Sequence, residues 1–146
     1  KEAAADLSRQ VQTKMADKFY YAVTDGVPEQ KKGTLEDYLL RDGKTNTSKV
    51  VSKSTEGAKS ARLDYEVTAQ NKTNAILRIR LDTGRHHQIR VQLSHAGLPI
   101  CGDSKYGEAG GPLCLCAYKV IFSHPRTGNR MEFEVNPTFP VPSIAL

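Results

Sequence analysis

The chain has 146 residues, of which 38% are hydrophobic and 25% charged, a composition that predicts one folded domain rather than a disordered segment. Its formal net charge of +5 favours polyanionic partners. No apolar run approaches the ~18 residues that a membrane span needs, and three cysteines are too few for a disulfide framework. We therefore expect a cytoplasmic protein with no membrane segment.

The N-terminal third contains one helical pattern and one strand pattern. Residues 2–16 carry apolar side chains at spacings of three and four, which predicts an amphipathic helix. The alternating stretch "KFYYAVTDG" predicts a strand that ends at the Asp25-Gly26 turn. Residues 27–48 are rich in polar and turn-forming residues, and only "LEDYLL" is apolar. We expect a surface excursion there, with at most a short helical turn.

The rest of the chain reads mainly as strands joined by short turns. "RLDYEVT" and "AILRIRLD" alternate apolar and charged residues around the hairpin connection "AQNKTN". "CLCAYKVIF" and "RMEFEV" flank a second turn near the end of the chain. Long alternating strands with short connections predict an α+β fold, in which a few helices pack against a mostly antiparallel, mixed sheet.

A short helix is predicted between the third strand and the fourth. The Thr83-Gly84 turn follows the strand and could cap the helix, and Gly97 stands where a left-handed C-terminal cap belongs. The buried stripe of this helix is predicted to consist of Ile89, Leu93 and Ala96. Arg85 then lies at the strand-to-helix junction, where rigid elements commonly present functional side chains.

Histidines and cysteines near this junction raise the question of a metal site. They are His86, His87, His95, Cys114 and Cys116. Adjacent histidines on a helix point in different directions, and a lone Cys-x-Cys lacks the paired spacing of structural zinc sites. The glycines of "GEAGGP" lack the following lysine and hydroxyl residue of a nucleotide loop. We expect neither a metal site nor a nucleotide-binding loop.

The cations around the junction fit a surface that binds a polyanion. Arg85, Arg90 and Lys105 cluster in sequence, and Tyr20 and Tyr106 are available for base stacking. Two interpretations of Arg85 remain open from the residues alone: an arginine that faces the polyanion, or a structural one that bonds loop carbonyls. We expect the arginines of "LRIRL" to lie on a solvated sheet face.

The stretch "LDTGRHHQIRVQLSHAGLPICGDSKYG" resembles the signature of RluA-type pseudouridine synthases, T-G-R-x-H-Q-[IL]-R-V-H followed by G-D-x-x-Y-G. "KEAAADLSRQVQTKMADKFYYAV" is similar to the family's helix and K-x-Y-x-A strand, and "AYKVIFSHPRTGNRMEFEV" to its closing hairpin. The resemblance covers most of the chain and is weakest at residues 27–60. It implies a pseudouridine synthase-like fold.

The resemblance also implies a reaction and roles for individual residues. Members isomerise uridine to pseudouridine in ribosomal or transfer RNA, without cofactor or metal, after flipping the uridine out of its stack. Arg85 matches the arginine that pairs with the essential aspartate, and Tyr20 matches the tyrosine that packs on the target base. Leu81 precedes this arginine on its strand and would form an apolar wall of the site, and Lys105 is a candidate for RNA phosphates. For Arg90 we favour a structural role.

One departure from the family pattern matters. The aspartate of the family lies in an H-R-L-D-x-x-T-S-G motif, which these residues do not contain. We therefore expect residues 1–146 to be a partial catalytic domain that lacks its N-terminal part and is inactive alone. Lesser departures are His86, Gln92 and Cys116. One alternative is a non-catalytic RNA-binding module with the same basic cleft. Another is a fragment without function, whose exposed sheet edge promotes self-association.

Overall fold

A computed structural model describes residues 17–108, 110–123 and 130–134 of the chain. The helix predicted over residues 2–16 lies outside them. The described elements are seven strands and one helix: β1 (Asp17–Asp25), β2 (Lys32–Asp42), β3 (Thr47–Val51), β4 (Lys59–Gln70), β5 (Asn74–Leu81), α1 (Gln88–His95), β6 (Leu115–Ser123) and β7 (Arg130–Glu134). In this part of the chain, no helix is long and apolar enough to cross a membrane.

The strands form one sheet in the order β3-β2-β4-β5-β1-β6-β7. All the described neighbours pair antiparallel. The arrangement confirms the predicted α+β fold with its largely antiparallel sheet. The predicted strands in "CLCAYKVIF" and "RMEFEV" correspond to β6 and β7.

The centre of the sheet follows the alternation of the sequence. On β5, Ala75, Leu77 and Ile79 are fully buried, whereas Arg78 and Arg80 between them are exposed. The predicted hairpin between β4 and β5 is also present. The backbone N–H of residue 71 donates to the carbonyl of residue 74, and the amide oxygen of residue 71 accepts from the backbone N–H of residue 74. The solvated face expected for the two arginines is confirmed.

Helix α1 covers the apolar face of the central strands. Ile89 and Leu93 are buried against the core residues of the sheet, as predicted. Burial of a side chain of this size contributes about 1.5–3 kcal/mol. Ala96 is exposed, so its place in the predicted stripe was wrong. The helix ends at His95, and Gly97 takes the left-handed conformation expected of its cap, with φ of +80°.

The start of α1 differs from the prediction. The N-cap residue is His87, in a left-handed conformation with φ of 54° and no side-chain cap. Thr83 is buried and does not cap the helix, because four loop residues separate it from the first helical residue, Gln88. Its hydroxyl instead accepts a hydrogen bond from the backbone N–H of Arg62 on β4. Thr83 therefore ties the loop to the sheet.

The surface excursion predicted over residues 27–48 was wrong for most of its length. Residues 32–42 form β2, and β3 begins at Thr47. The segment "LEDYLL" is extended rather than helical, and Leu39 is buried beneath Val91 of α1. Leu39 is the only residue of β2 that is fully buried, so the strand shows no run of alternating apolar residues. Pairing with β4 on one side and β3 on the other holds it in the sheet.

Candidate active site

One end of the sheet brings together three of the four predicted site residues. Tyr20 on β1 is paired with Ile79 on β5, and Leu81, the last residue of β5, is paired with Lys18. Paired residues of antiparallel strands project from the same face. Tyr20 and Leu81 therefore project on the side that α1 covers, close to the point where β5 enters the loop that carries Arg85.

Two buried polar side chains hold the loop that carries Arg85. The hydroxyl of Thr83 donates to Oε1 of Gln88 over 2.6 Å, and the same oxygen accepts the backbone N–H of Arg85 at 2.9 Å. The amide Nε2 of Gln88 donates to the carbonyl of Arg62 at 3.1 Å. Gln88 is only 2% exposed. Sequence reasoning missed Gln88, since its partners are distant in the chain; its position in the matched motif was the available signal.

The guanidinium group of Arg85 is partly engaged by the protein. Its Nε donates to the backbone carbonyl of Ser60 on β4 over 2.8 Å. Within the described ranges, neither terminal nitrogen has a hydrogen-bond partner. A strand carbonyl therefore sets the direction of the side chain, and up to four N–H donors are left for a carboxylate or a phosphate.

Tyr20 and Leu81 border the hydrophobic core. Leu81 is 8% exposed, and half-buried Tyr20 packs against the core cluster. Burial raises the pKa of the Tyr20 phenol. The hydroxyl is therefore protonated at neutral pH and able to donate a hydrogen bond.

A buried lysine lies beside this loop. Lys18 is 9% exposed, and a Cβ atom added to Gly84 would stand 2.6 Å from its Nζ. Its ammonium group therefore lies against the backbone that leads into Arg85. Lys18 precedes Tyr20 by two residues and shares its face of the sheet. It was seen in the sequence only as the first letter of the K-x-Y-x-A strand.

Lys105, the fourth predicted residue, lies across the sheet from Tyr20, at the β2–β3 turn. Its Nζ donates to the backbone carbonyl of Asn46, in the turn between β2 and β3, over 3.0 Å. In the sheet order, β2, β4 and β5 stand between β3 and the strand of Tyr20. The structure therefore brings Lys105 to the β2–β3 hairpin rather than beside Tyr20.

The loop of Lys105 is built on a buried carboxylate. Asp103 is 1% exposed and accepts two hydrogen bonds from the guanidinium of Arg90, at 2.8 and 3.0 Å, in agreement with a structural role for Arg90. The backbone N–H groups of Lys105 and Tyr106 donate to the same carboxylate. Burial alone would raise the pKa of Asp103, but these hydrogen bonds and the charge of Arg90 lower it below its ordinary value.

The two adjacent histidines link the loop to the β2–β3 hairpin. Nδ1 of His86 is 2.8 Å from Oγ of Ser48, and its Nε2 is 3.1 Å from Oδ1 of Asn46. Nδ1 of His87 is 2.7 Å from the hydroxyl of Tyr106, which also accepts the backbone N–H of Ser48. Burial first, and then neighbouring positive charge, lowers the pKa of both histidines, that of His87 to about 4.

These contacts assign the histidines to the protein's own hydrogen-bond network. The amide oxygen of Asn46 can only accept, so His86 carries its proton on Nε2 and accepts the Ser48 hydroxyl at Nδ1. In the residues that the structure describes, no group of three or more potential ligands is arranged to hold a metal ion.

A cleft of about 310 Å³ opens between the hairpin and the Arg85 loop. Its lining residues are Leu39, Leu40, Arg41, Ser48, Gly57, Lys59, Gly84, Arg85 and His86. Three of them are permanent cations, and none is a carboxylate. The cleft therefore suits an anion, and it lies at the same end of the sheet as Tyr20 and Leu81.

A second cleft, of about 430 Å³, lies on the opposite face of the sheet. Its cations are largely paired with carboxylates. Nζ of Lys32 is 3.4 Å from Glu66, and NH1 of Arg80 is 3.6 Å from Asp64. Although larger, this cleft offers an anion little net positive charge, so we place the site on the Arg85 side.

The chain is similar to known proteins in both sequence and fold. The sequence model of the RNA pseudouridylate synthase family matches residues 1–95. The chain is 34% identical to the uncharacterized RNA pseudouridine synthase YlyB of Bacillus subtilis, over 90% of this chain and 44% of that protein. It is 30% identical to ribosomal large subunit pseudouridine synthase D of Neisseria meningitidis, over 97% of this chain and 40% of that protein.

Solved structures show the same fold. The human RNA pseudouridylate synthase domain containing 1 protein superposes with a TM-score of 0.77 at 22% identity, covering 91% of this chain and 59% of the other. The domain containing 4 protein gives the same TM-score and identity, over 94% and 64%.

The chain spans about two-fifths of the length of the curated relatives it matches. The family match covers well over half of the chain, and it includes the strand of Tyr20 and the loop of Arg85. The chain therefore belongs to the RNA pseudouridylate synthase family, as its resemblance to RluA-type enzymes predicted.

Proposed function

We propose that the protein isomerises uridine to pseudouridine in ribosomal or transfer RNA in the cytoplasm, and that this chain contributes one side of the active site. The observation that carries the proposal is the convergence of Tyr20, Leu81 and Arg85 at one end of the sheet. The name of the Neisseria relative, a ribosomal large subunit enzyme, supports testing ribosomal RNA first.

The proposed reaction replaces one bond to the ribose with another. The bond from C1′ to N1 of the base breaks, a bond from C1′ to C5 forms, the hydrogen on C5 leaves, and N1 gains a hydrogen. No electrons are gained or lost overall, so the reaction needs no oxidant or reductant. What it needs is a site that holds the loosened base while it turns, together with groups that move a proton.

Arg85 would orient the essential carboxylate of the reaction. Its terminal N–H groups can form the bidentate pair that arginine makes with a carboxylate, and the bond from Nε to Ser60 sets the plane of the guanidinium. A paired carboxylate stays ionised and held in one direction. In this proposal, the aspartate comes from a segment outside these 146 residues, so the chain alone is inactive.

Tyr20 and Leu81 would hold the uracil ring. The tyrosine ring offers a face for stacking, and Leu81 adds an apolar wall next to it on the same face of the sheet. The raised pKa keeps the phenol of Tyr20 protonated, so its hydroxyl can donate a hydrogen bond to an oxygen of the base. For Tyr20 to transfer a proton, the group that takes or gives that proton must lie directly beside the hydroxyl. Lys105 would contact RNA phosphates beyond the uridine.

The test uses the full-length protein and ribosomal and transfer RNA that lack pseudouridine. We expect the wild type to form pseudouridine, detected by chemical labelling and primer extension. Arg85→Met should lower the single-turnover rate by about 10²-fold or more, while Arg85→Lys should restore part of it, since a charge without the planar fork remains. Tyr20→Phe removes the hydroxyl and keeps the aromatic ring, so its rate shows what the hydroxyl contributes apart from stacking.

Two results would argue against the proposal. RNA binding without any pseudouridine formation would support a non-catalytic RNA-binding module instead. Activity from residues 1–146 alone would show that the aspartate is not supplied from elsewhere.

A further inference from the structure

The cleft next to Arg85 contains two cations to which no role has yet been given, Arg41 at the end of β2 and Lys59 at the start of β4. Leu39 is paired with Lys59, and Arg41 with Ser48. Since Leu39 is buried beneath α1, its register places Arg41 and Lys59 on the helix-covered face. They therefore share both the face and the end of the sheet with Tyr20 and Leu81.

We propose that Arg41 and Lys59 form a phosphate-binding subsite, which grips the RNA strand beside the target uridine. The proposal rests on the proposed function for the identity of the ligand as RNA. It assigns to the β2–β3 hairpin, which the sequence did not reveal, a part in binding the substrate.

The charges of the cleft are available to a ligand. Among the described residues, the guanidinium of Arg41 makes one hydrogen bond, a long one of 3.4 Å to the side chain of Asn46. Lys59 is exposed, and no carboxylate lies within salt-bridge distance of it among the residues that the structure describes. On the opposite face, by contrast, Arg62 meets Glu36 and Asp82, each at 3.3 Å.

The hairpin that carries Arg41 is held firmly against the Arg85 loop. His86 bonds both Ser48 and Asn46, and the Tyr106 hydroxyl accepts the backbone N–H of Ser48. Because the hairpin cannot swing freely, the spacing between Arg41 and Arg85 is set before RNA arrives. Preorganised donors lose less conformational entropy on binding than mobile ones.

The sheet order also sets the distance between the subsite and the base pocket. From β2 to β1 there are three inter-strand steps of about 4.8 Å each. Arg41 is therefore too far from Tyr20 to share a nucleotide with it, whereas Lys59 and Arg85 lie between. The geometry favours a phosphate of a neighbouring nucleotide as the ligand of Arg41 and Lys59.

The experiment measures binding of the full-length protein to a short fluorescein-labelled oligouridine as KCl is increased. Each phosphate contact on a single strand contributes about 0.7 to the slope of log K against log salt. We expect Arg41→Gln and Lys59→Gln each to reduce the slope by about 0.7, and Arg41→Lys and Lys59→Arg to restore it. Lys72→Gln is the matched control, because exposed Lys72 lies in the turn at the opposite end of β4.

An unchanged slope in both glutamine variants would overturn the subsite, and so would an equal loss in Lys72→Gln, since that would indicate only a general charge effect. Pseudouridine formation by the wild type separates this proposal from the one on which it rests. If the wild type is active and the slopes do not change, the subsite fails and the function stands. If the slopes fall as expected and no pseudouridine forms, the subsite stands and the proposed function fails. Lys59→Gln breaks no described hydrogen bond, so the test survives if Arg41→Gln unfolds the protein.

Discussion

Replacing Asp103 should destabilise the protein more than any surface change in this region. Its carboxylate is 1% exposed and lies at the centre of the loop that carries Lys105 and Tyr106. Asp103→Ala leaves the guanidinium of Arg90, itself mostly buried, without its counter-charge, and it leaves two backbone N–H groups without their acceptor. Removing one partner of a buried ion pair costs about 3–5 kcal/mol.

The hydrogen bonds that each carboxylate oxygen accepts predict a smaller loss of stability for Asp103→Asn than for Asp103→Ala. Oδ1 accepts from NH2 of Arg90 and from both backbone N–H groups, whereas Oδ2 accepts only Nε of Arg90. In Asp103→Asn the amide oxygen can take the place of Oδ1 and keep three of the four hydrogen bonds, whereas the bond to Nε and the counter-charge of Arg90 are lost. We expect a loss of about 2 kcal/mol, close to that of one charged hydrogen bond.

The measurement is urea unfolding of the full-length protein at pH 7, followed by circular dichroism. The double variant Arg90→Met with Asp103→Asn should lose less than the sum of the single variants, because neither charge is then left alone. Equal losses for Asp103→Ala and Asp103→Asn, or strictly additive losses in the double variant, would refute the reasoning from the two oxygens.

Two further predictions concern the Arg85 loop. Gly84→Ala should push the ammonium of Lys18 away, since the new Cβ would stand 2.6 Å from Nζ. We expect it to lower kcat/KM about tenfold with little change in Tm. Gly43→Ala is the matched control, because nothing lies within 4 Å of the added Cβ, and it should change neither kcat/KM nor Tm. The second prediction concerns how stability depends on pH. Folding lowers the pKa of His87 from 6.5 to about 4, so as the pH falls the unfolded chain takes up a proton at His87 before the folded protein does. The free energy of unfolding should therefore decline as the pH drops from 6.5 towards 4. A neutral glutamine at this position should flatten that decline in urea titrations, and a slope that persists unchanged would mean that the hydrogen bond from Tyr106 does not depend on a neutral ring.

The central strands could be predicted from the sequence because each buries one full face. Every second residue of β5 from Ala75 onward is apolar and buried, so periodicity alone gave both the strand and its orientation. The hairpin of β2 and β3 could not be predicted in this way. Its burial is partial and its side chains are mostly polar, so pairing with β4, rather than a hydrophobic pattern, holds it in place.

The candidate site likewise contains residues that the sequence predicted and residues that only the structure reveals. Motif resemblance led to Arg85 and Tyr20, and the position of Leu81 before Arg85 on the strand led to Leu81; the fold brings these three to one end of the sheet. The supporting residues depend on contacts between distant parts of the chain. Gln88 bonds β4, and Lys18 reaches under the Gly84 backbone, and neither contact leaves a local signal in the sequence.

The exposed turn between β2 and β3 has a consequence for how this protein can vary. Asn46 takes a left-handed conformation with φ of 53°, and its two oxygens accept hydrogen bonds from Arg41, His86 and Lys105. Glycine would keep the backbone shape but remove the amide oxygen, and most other residues would strain the turn. A turn tip is ordinarily the most freely substituted part of a fold, but here one residue is a junction between three elements. Sequence drift at this tip should therefore be constrained as tightly as in the core.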